Sequence, residues 1–144
     1  MKVQIGILCL LITCCALTGC QPDVPETKGA SDNSPMFNKL HRESTMGSLN
    51  AIRAAQVSYM SQTGSYGTFQ QLVNRNLLDS RFTGERPVVQ GYAFTMSVDA
   101  GGGYSVNADP KEGEGRHFFM DQSNAIHYND NRSASSTDAV SAGI

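Results

Sequence analysis

The sequence predicts an α+β fold: a long N-terminal helix and a short second helix packed on an antiparallel meander of three to four strands. Two observations carry that prediction. Residues 36–62 have few helix breakers, and Phe37, Leu40, Met46, Leu49, Ile52, Val57 and Tyr59 form an approximately helical apolar stripe. After residue 91 the period changes to two, with Tyr92, Phe94, Met96 and Val98 alternating with Ala93, Thr95 and Ser97. A half-buried sheet needs one covered face, and the long helix is the available cover.

Each element has its own signals. Ser34-Pro35 opens the first helix, Ser as N-cap and Pro at the first helical position. Gly47 weakens its middle, and the small Ala51, Ala54 and Ala55 let another element approach closely. Thr63-Gly64 ends it. Thr68 to Gln71 fits a capping box that starts a second helix, with Phe69, Leu72, Val73 and Leu77 facing the core. Residues 79–90 read as loop, punctuated by Gly84 and Pro87. Tyr104, Val106 and Ala108 alternate again after Gly101–Gly103, where a turn needs positive φ. "RHFFMD" and "AIHYN" are two further strands around the turn Asp121-Gln122-Ser123-Asn124. Residues 131–144 are small and polar and read as a disordered tail, so the folded domain is placed at 36–130.

The chain has 144 residues, 40% of them hydrophobic, which is one small domain plus tails. Its formal charge is -2, and no basic patch stands out, which argues against a nucleic-acid partner. Cys9, Cys14, Cys15 and Cys20 all fall in the first twenty residues. A disulfide framework would spread its pairs through the fold. If residues 1–19 are removed, Cys20 alone remains, and neither a disulfide nor a thiolate zinc site can be built within the domain.

The N-terminus has the parts of a removable leader. Lys2 gives a positive start, and Ile5 to Leu17 is an apolar run of signal-peptide length, short of the ~20 residues that cross a bilayer as a helix. It ends in Leu17-Thr18-Gly19-Cys20, which resembles the lipobox of bacterial lipoproteins. The resemblance implies cleavage between Gly19 and Cys20, a diacylglyceryl group on the Cys20 sulfur, and usually acylation of the new amine. Because each buried methylene contributes about 0.8 kcal/mol, two or three such chains anchor a protein firmly in a membrane. The alternative is an ordinary secretory signal in which Cys20 is incidental. Residues 21–35 hold three Pro and three acidic residues and form a disordered tether with an r.m.s. span of roughly 20 Å. Gln21 stands where some enteric lipoproteins carry an inner-membrane-retaining aspartate, which under that sorting rule points to the outer membrane.

Beyond the tether, "LNAIRAAQVSYMSQTGSYGTFQQLVNRNLLDS", "GYAFTMSV" and "RHFFMDQSNAIHYND" resemble the head domains of type IV pilins and type II secretion pseudopilins, over about residues 44–130. The resemblance implies a helix-then-meander head and a structural role without catalysis. The departure lies at the start. A pilin precursor is cut before its apolar segment, which stays in the filament core. Here the apolar run precedes Gly19, and Glu26 has no apolar segment around it. Lipid replaces the greasy helix in this reading, and the usual pilin polymerisation is in doubt.

Residues with chemistry to offer are few. With Gln122-Ser123 as a two-residue turn, Phe119 faces Ile126 and Phe118 faces His127, which puts His117 and His127 on opposite faces, unable to share an ion. His41 lies on the first helix. Asp109, Glu112 and Glu114, set among Gly113 and Gly115, are candidate loop ligands for calcium, and some pseudopilin heads bind calcium in a nearby loop. Their spacing does not fit an EF-hand. Gly-x-Ser-x-Gly, phosphate-cradling and His-Glu-x-x-His motifs are absent. The tyrosines at 59, 66, 92, 104 and 128 read as core or rim residues. The function expected is therefore a non-enzymatic, lipid-anchored envelope protein that binds other envelope, secretion or pilus proteins and needs no cofactor. The alternatives are a small-ligand or calcium-binding module and an atypical pilin or pseudopilin subunit.

Overall fold

Helix α1 runs Pro35–Thr63 and stops where Gly64 takes φ +74, a left-handed conformation that a Cβ disfavours. The Gly64 N–H donates to the Met60 carbonyl at 2.9 Å and closes the last turn. This is a computed structural model, and it describes residues 35–112 and 115–141. The leader, Gly19, Cys20, the tether up to Ser34, and Glu114 lie outside the described residues, as do the side chains of Pro35 and Phe37.

The inward face of α1 is set by Thr45, Leu49, Ile52, Ala55, Gln56 and Tyr59, all buried. Leu49 and Ile52 are fully enclosed, each worth about 1.5–3 kcal/mol of apolar burial. Leu40 and Val57, expected on this stripe, instead face solvent at 62% and 60% exposure. The reason lies in the helical angle. At about 100° per residue the buried set is centred near Ile52, and Leu40 and Val57 fall roughly 120–140° around the helix from it, whereas Thr45 and Gln56 fall within the set. Thr45 Oγ1 donates to the His41 carbonyl at 2.8 Å. Gln56 grips buried Gly67: its Nε2 donates to the Gly67 carbonyl at 2.7 Å, and its Oε1 accepts from the Gly67 N–H at 2.9 Å. Of the three alanines, Ala55 is buried, while Ala51 and Ala54 are exposed.

Helix α2, Phe69–Asn74, begins with the capping box that the sequence signals, Thr68 and Gln71 satisfying each other's backbone N–H groups. A 3-10 turn at Ser80–Phe82 follows, capped by Asp79, and drives Phe82 into the core between Phe69 and Phe94.

The sheet has six antiparallel strands in sequential order, not three or four: β1 Val88–Val89, β2 Tyr92–Val98, β3 Tyr104–Pro110, β4 His117–Asp121, β5 Ile126–Asn129 and β6 Ala139–Val140. The four long strands are those that alternate. The two additions are two-residue edges, too short to carry any period. One face, with Phe94, Tyr104, Val106, Ala108, Phe118 and Met120, packs with the inward face of α1 and with α2 in a single apolar cluster. Of Gly101–Gly103 only Gly102 has positive φ, at +88, in the turn closed by Asp99 and Gly103.

The segment expected as a disordered tail is built onto the sheet through residue 141. β6 pairs with β5, Ala134 is 4% exposed, and the Ser141 N–H donates to the Ile126 carbonyl at 2.7 Å. What orders it is polar: its side chains and carbonyls find partners on the outer face of the sheet.

Candidate functional site

The outer face is where the chemistry-bearing side chains collect. Alternation points Asn107, Asp109, His117, Phe119, His127 and Asn129 away from the helix-covered face, because their neighbours Ala108, Phe118, Met120 and Ile126 are the buried ones.

His117 and His127 stand on this same face, contrary to the two-residue-turn reading. The hairpin pairs His117 with Asn129, Phe118 with Tyr128 and Phe119 with His127. Asn124 accounts for the shift. It follows the Asp121–Asn124 turn with φ +66, adding a third loop residue and moving the register by one. His127 packs edge-on against Phe119, ring centroids 6.1 Å apart.

Two polar centres organise the face. In the first, Asp109 Oδ1 lies 2.7 Å from His117 Nδ1 and accepts a hydrogen bond from Ser133 Oγ at 2.8 Å. The order differs from that of a nucleophilic relay, where the imidazole sits between hydroxyl and carboxylate. Here the carboxylate sits between, and the Ser133 hydroxyl donates a hydrogen bond to Asp109. Its effect is to fix residue 133 over β3, and Asn107 adds to this by donating to the Ala134 carbonyl at 2.8 Å.

The second centre is Asp138, whose side chain is 11% exposed. Oδ1 accepts from Asn129 Nδ2 at 2.9 Å and from the Arg132 guanidinium at 2.7 Å. Oδ2 accepts from the Ser135 backbone N–H and hydroxyl, both at 2.8 Å. The side-chain bonds from Asn129 and Ser135 lead in holding this carboxyl well below the usual carboxylate range, with the Arg132 bond adding to them. The Asp138 carbonyl meanwhile accepts from His127 Nδ1 at 2.8 Å, which makes that nitrogen the protonated one. Beside these centres, Arg116 forms a two-pronged pair with Asp130 at 2.7 and 3.2 Å and lies 4.0 Å over the Tyr128 ring. That pair lowers the Asp130 pKa and raises that of Arg116.

The calcium candidates fare differently from one another. Asp109 is engaged by His117 and Ser133, Glu112 is exposed in the loop after β3, and Glu114 lies outside the described residues. Among the described residues, no three His, Cys, Asp or Glu side chains are grouped to hold a metal ion. His117 and His127 share a face, and Asp109 binds the first of them.

Sequence reasoning missed Ser133, Asp138 and the ordering of residues 131–141. One signal was present: Ser135-x-x-Asp138 has the spacing of a capping box, and its carboxylate half forms, Asp138 Oδ2 accepting from the Ser135 N–H, while the Ser135 hydroxyl donates to the same oxygen and no helix follows. Elsewhere, a shallow groove of about 290 Å³ lies between α1 and the connection to β1, lined in part by Gly47, Ala51, Arg81 and Gln90. At its edge the Ser44 hydroxyl of α1 donates to Gln90 Oε1 in the turn between β1 and β2.

Comparisons with protein-family models, with curated proteins and with solved structures returned no match. No helix among the described residues is long and apolar enough to cross a membrane.

Proposed function

We propose that this chain is a lipid-anchored protein of a bacterial cell envelope, held by an acylated Cys20, whose α+β head works by binding other envelope proteins. The observation that carries the reading is the run from Ile5 to Cys20: an apolar leader too short to span a bilayer, closed by Leu17-Thr18-Gly19-Cys20. With the leader cut away, Cys20 is the single thiol and stands first in the chain. The polar, proline-containing residues 21–35 then separate lipid from fold.

A long helix laid across an antiparallel sheet supports the pilin-like or pseudopilin-like reading of the head, with secretion or pilus proteins as its partner class. The polar centres of the outer face bind parts of the chain to each other, which favours a scaffold over a catalyst. Fractionation of cells carrying the wild-type chain or Cys20→Ser tests the anchor. The wild type is expected in the membrane fraction, released by detergent and not by high salt, and the variant in the soluble fraction. Equal partition of the two chains overturns the reading.

A further inference from the structure

Residues 131–141 differ from the rest of the fold in how they are held. Their one buried apolar side chain is Ala134, while Val140 is 57% exposed and β6 pairs with β5 over only two positions. The apolar cluster that unites the helices and the other strands contains none of them. Their attachment is polar and converges on one residue. Asp138 binds Arg132 and Ser135 within the segment and Asn129 and His127 beneath it, while Ser133 and Ala134 reach Asp109 and Asn107. An element with little apolar burial and many solvent-facing hydrogen bonds belongs to the low-stability end of a structure and opens without unfolding the core.

Opening it has a defined consequence. β5 would become the sheet edge, with the Ile126 carbonyl and the backbone groups that now pair with β6 left unpaired. An unpaired edge is a template for another extended chain.

We propose that residues 131–141 form a releasable strap, locked at Asp138, and that the β5 edge it vacates accepts the same strap from a second copy of this chain. The identity of the occupant follows from the fit already built. The same sequence restores every contact in the register His127 with Val140 and Tyr128 with Ala139, so exchange between copies changes no bond within the site. What each copy gives up is the turn at Asn129, whose Oδ1 accepts from the N–H groups of Asn131 and Arg132. That turn favours the closed monomer; the Asp138 bonds re-form on either copy, so Asp138 sets how readily the strap leaves β5 and not which copy it returns to.

The test uses the full-length chain in detergent, as wild type and as Asp138→Ala, with Arg132→Gln/Ser135→Ala as a second unlocking variant should the first fail to fold. Hydrogen exchange is followed by segment, and oligomeric state by light scattering across concentration. In the unlocked chain, exchange over residues 126–141 is expected to rise at least about tenfold, with residues 49–59 unchanged. At high concentration dimer is expected to form faster in the unlocked chain than in the wild type, and a synthetic peptide of residues 131–141 is expected to return it to monomer. Unchanged exchange over 126–141, or acceleration shared by 49–59, overturns the strap as a separately locked unit. Selective opening with a persistent monomer and no peptide effect overturns the edge as acceptor for a second copy.

Discussion

Gln56 is a buried polar residue on the main core-facing helix, and the fold depends on it in a way that a substitution can measure. Its amide closes both backbone groups of Gly67, at 2.7 and 2.9 Å, and its side chain is fully enclosed. Gln56→Leu keeps roughly the same volume and removes both bonds. The Gly67 N–H and carbonyl then stay buried without partners, and each such group costs about 1–3 kcal/mol. The sum is about 2–6 kcal/mol, a Tm drop of roughly 8–24 °C for a domain near this size. Urea unfolding followed by helical circular dichroism, with the slope m unchanged, gives the figure. Val57→Ala, on the exposed face of the same helix, is the control and stays within about 0.5 kcal/mol. A Gln56→Leu loss as small as the control's would refute the idea that this clamp fixes the α1–α2 connection.

Three further outcomes follow from other parts of the fold. Thr68→Ala removes the hydroxyl half of the capping box at α2 and is expected to lower stability by about 1 kcal/mol, read as a shift of the urea midpoint. The Tyr104 hydroxyl is pushed up from 10.0 to about 12, chiefly by burial. Its neutral form is therefore favoured by folding, so this contribution to stability is intact below pH 10 and is lost as pH rises toward 12, which urea unfolding at a series of pH values reads directly. Asp138 has the opposite sign: its folded-state pKa lies below the ordinary 3.8, so its contribution is present above about pH 4 and fades as pH falls below that. The Ser141 amide signal is expected to lose protection there before the core amides do. Simultaneous loss would mean that the carboxylate acts on the whole domain and not on the strap.

The sequence made the helices and the four long strands legible because local rules and burial agree there. Thr68 and Gln71 have one capping arrangement open to them, Gly64 marks a stop, and the alternation from Tyr92 to Val98 has one way to face a core. Hydropathy alone draws the apolar stripe too wide on α1: Leu40 and Val57 lie well around the helix from Ile52, while the polar Thr45 and Gln56 fall on the buried side, Gln56 with its partners in Gly67. The register reading failed at the β4–β5 turn, where the left-handed Asn124 added a residue and brought His117 and His127 to one face. The outer face was the least legible part. Its order comes from contacts between residues far apart in sequence, Asp109 with Ser133 and Asn107 with Ala134, and a small polar segment gives no hydrophobic sign of them.

The lipid anchor at Cys20 is the central proposal, and intact mass of the protein isolated from its native membrane tests it most directly. The account predicts a chain beginning at Cys20 and carrying added diacylglyceryl and acyl mass, with Cys20→Ser lacking both the added mass and the cleavage before residue 20. A wild-type chain cut elsewhere and free of lipid, recovered in sheared surface filaments, would contradict the account and favour a filament subunit.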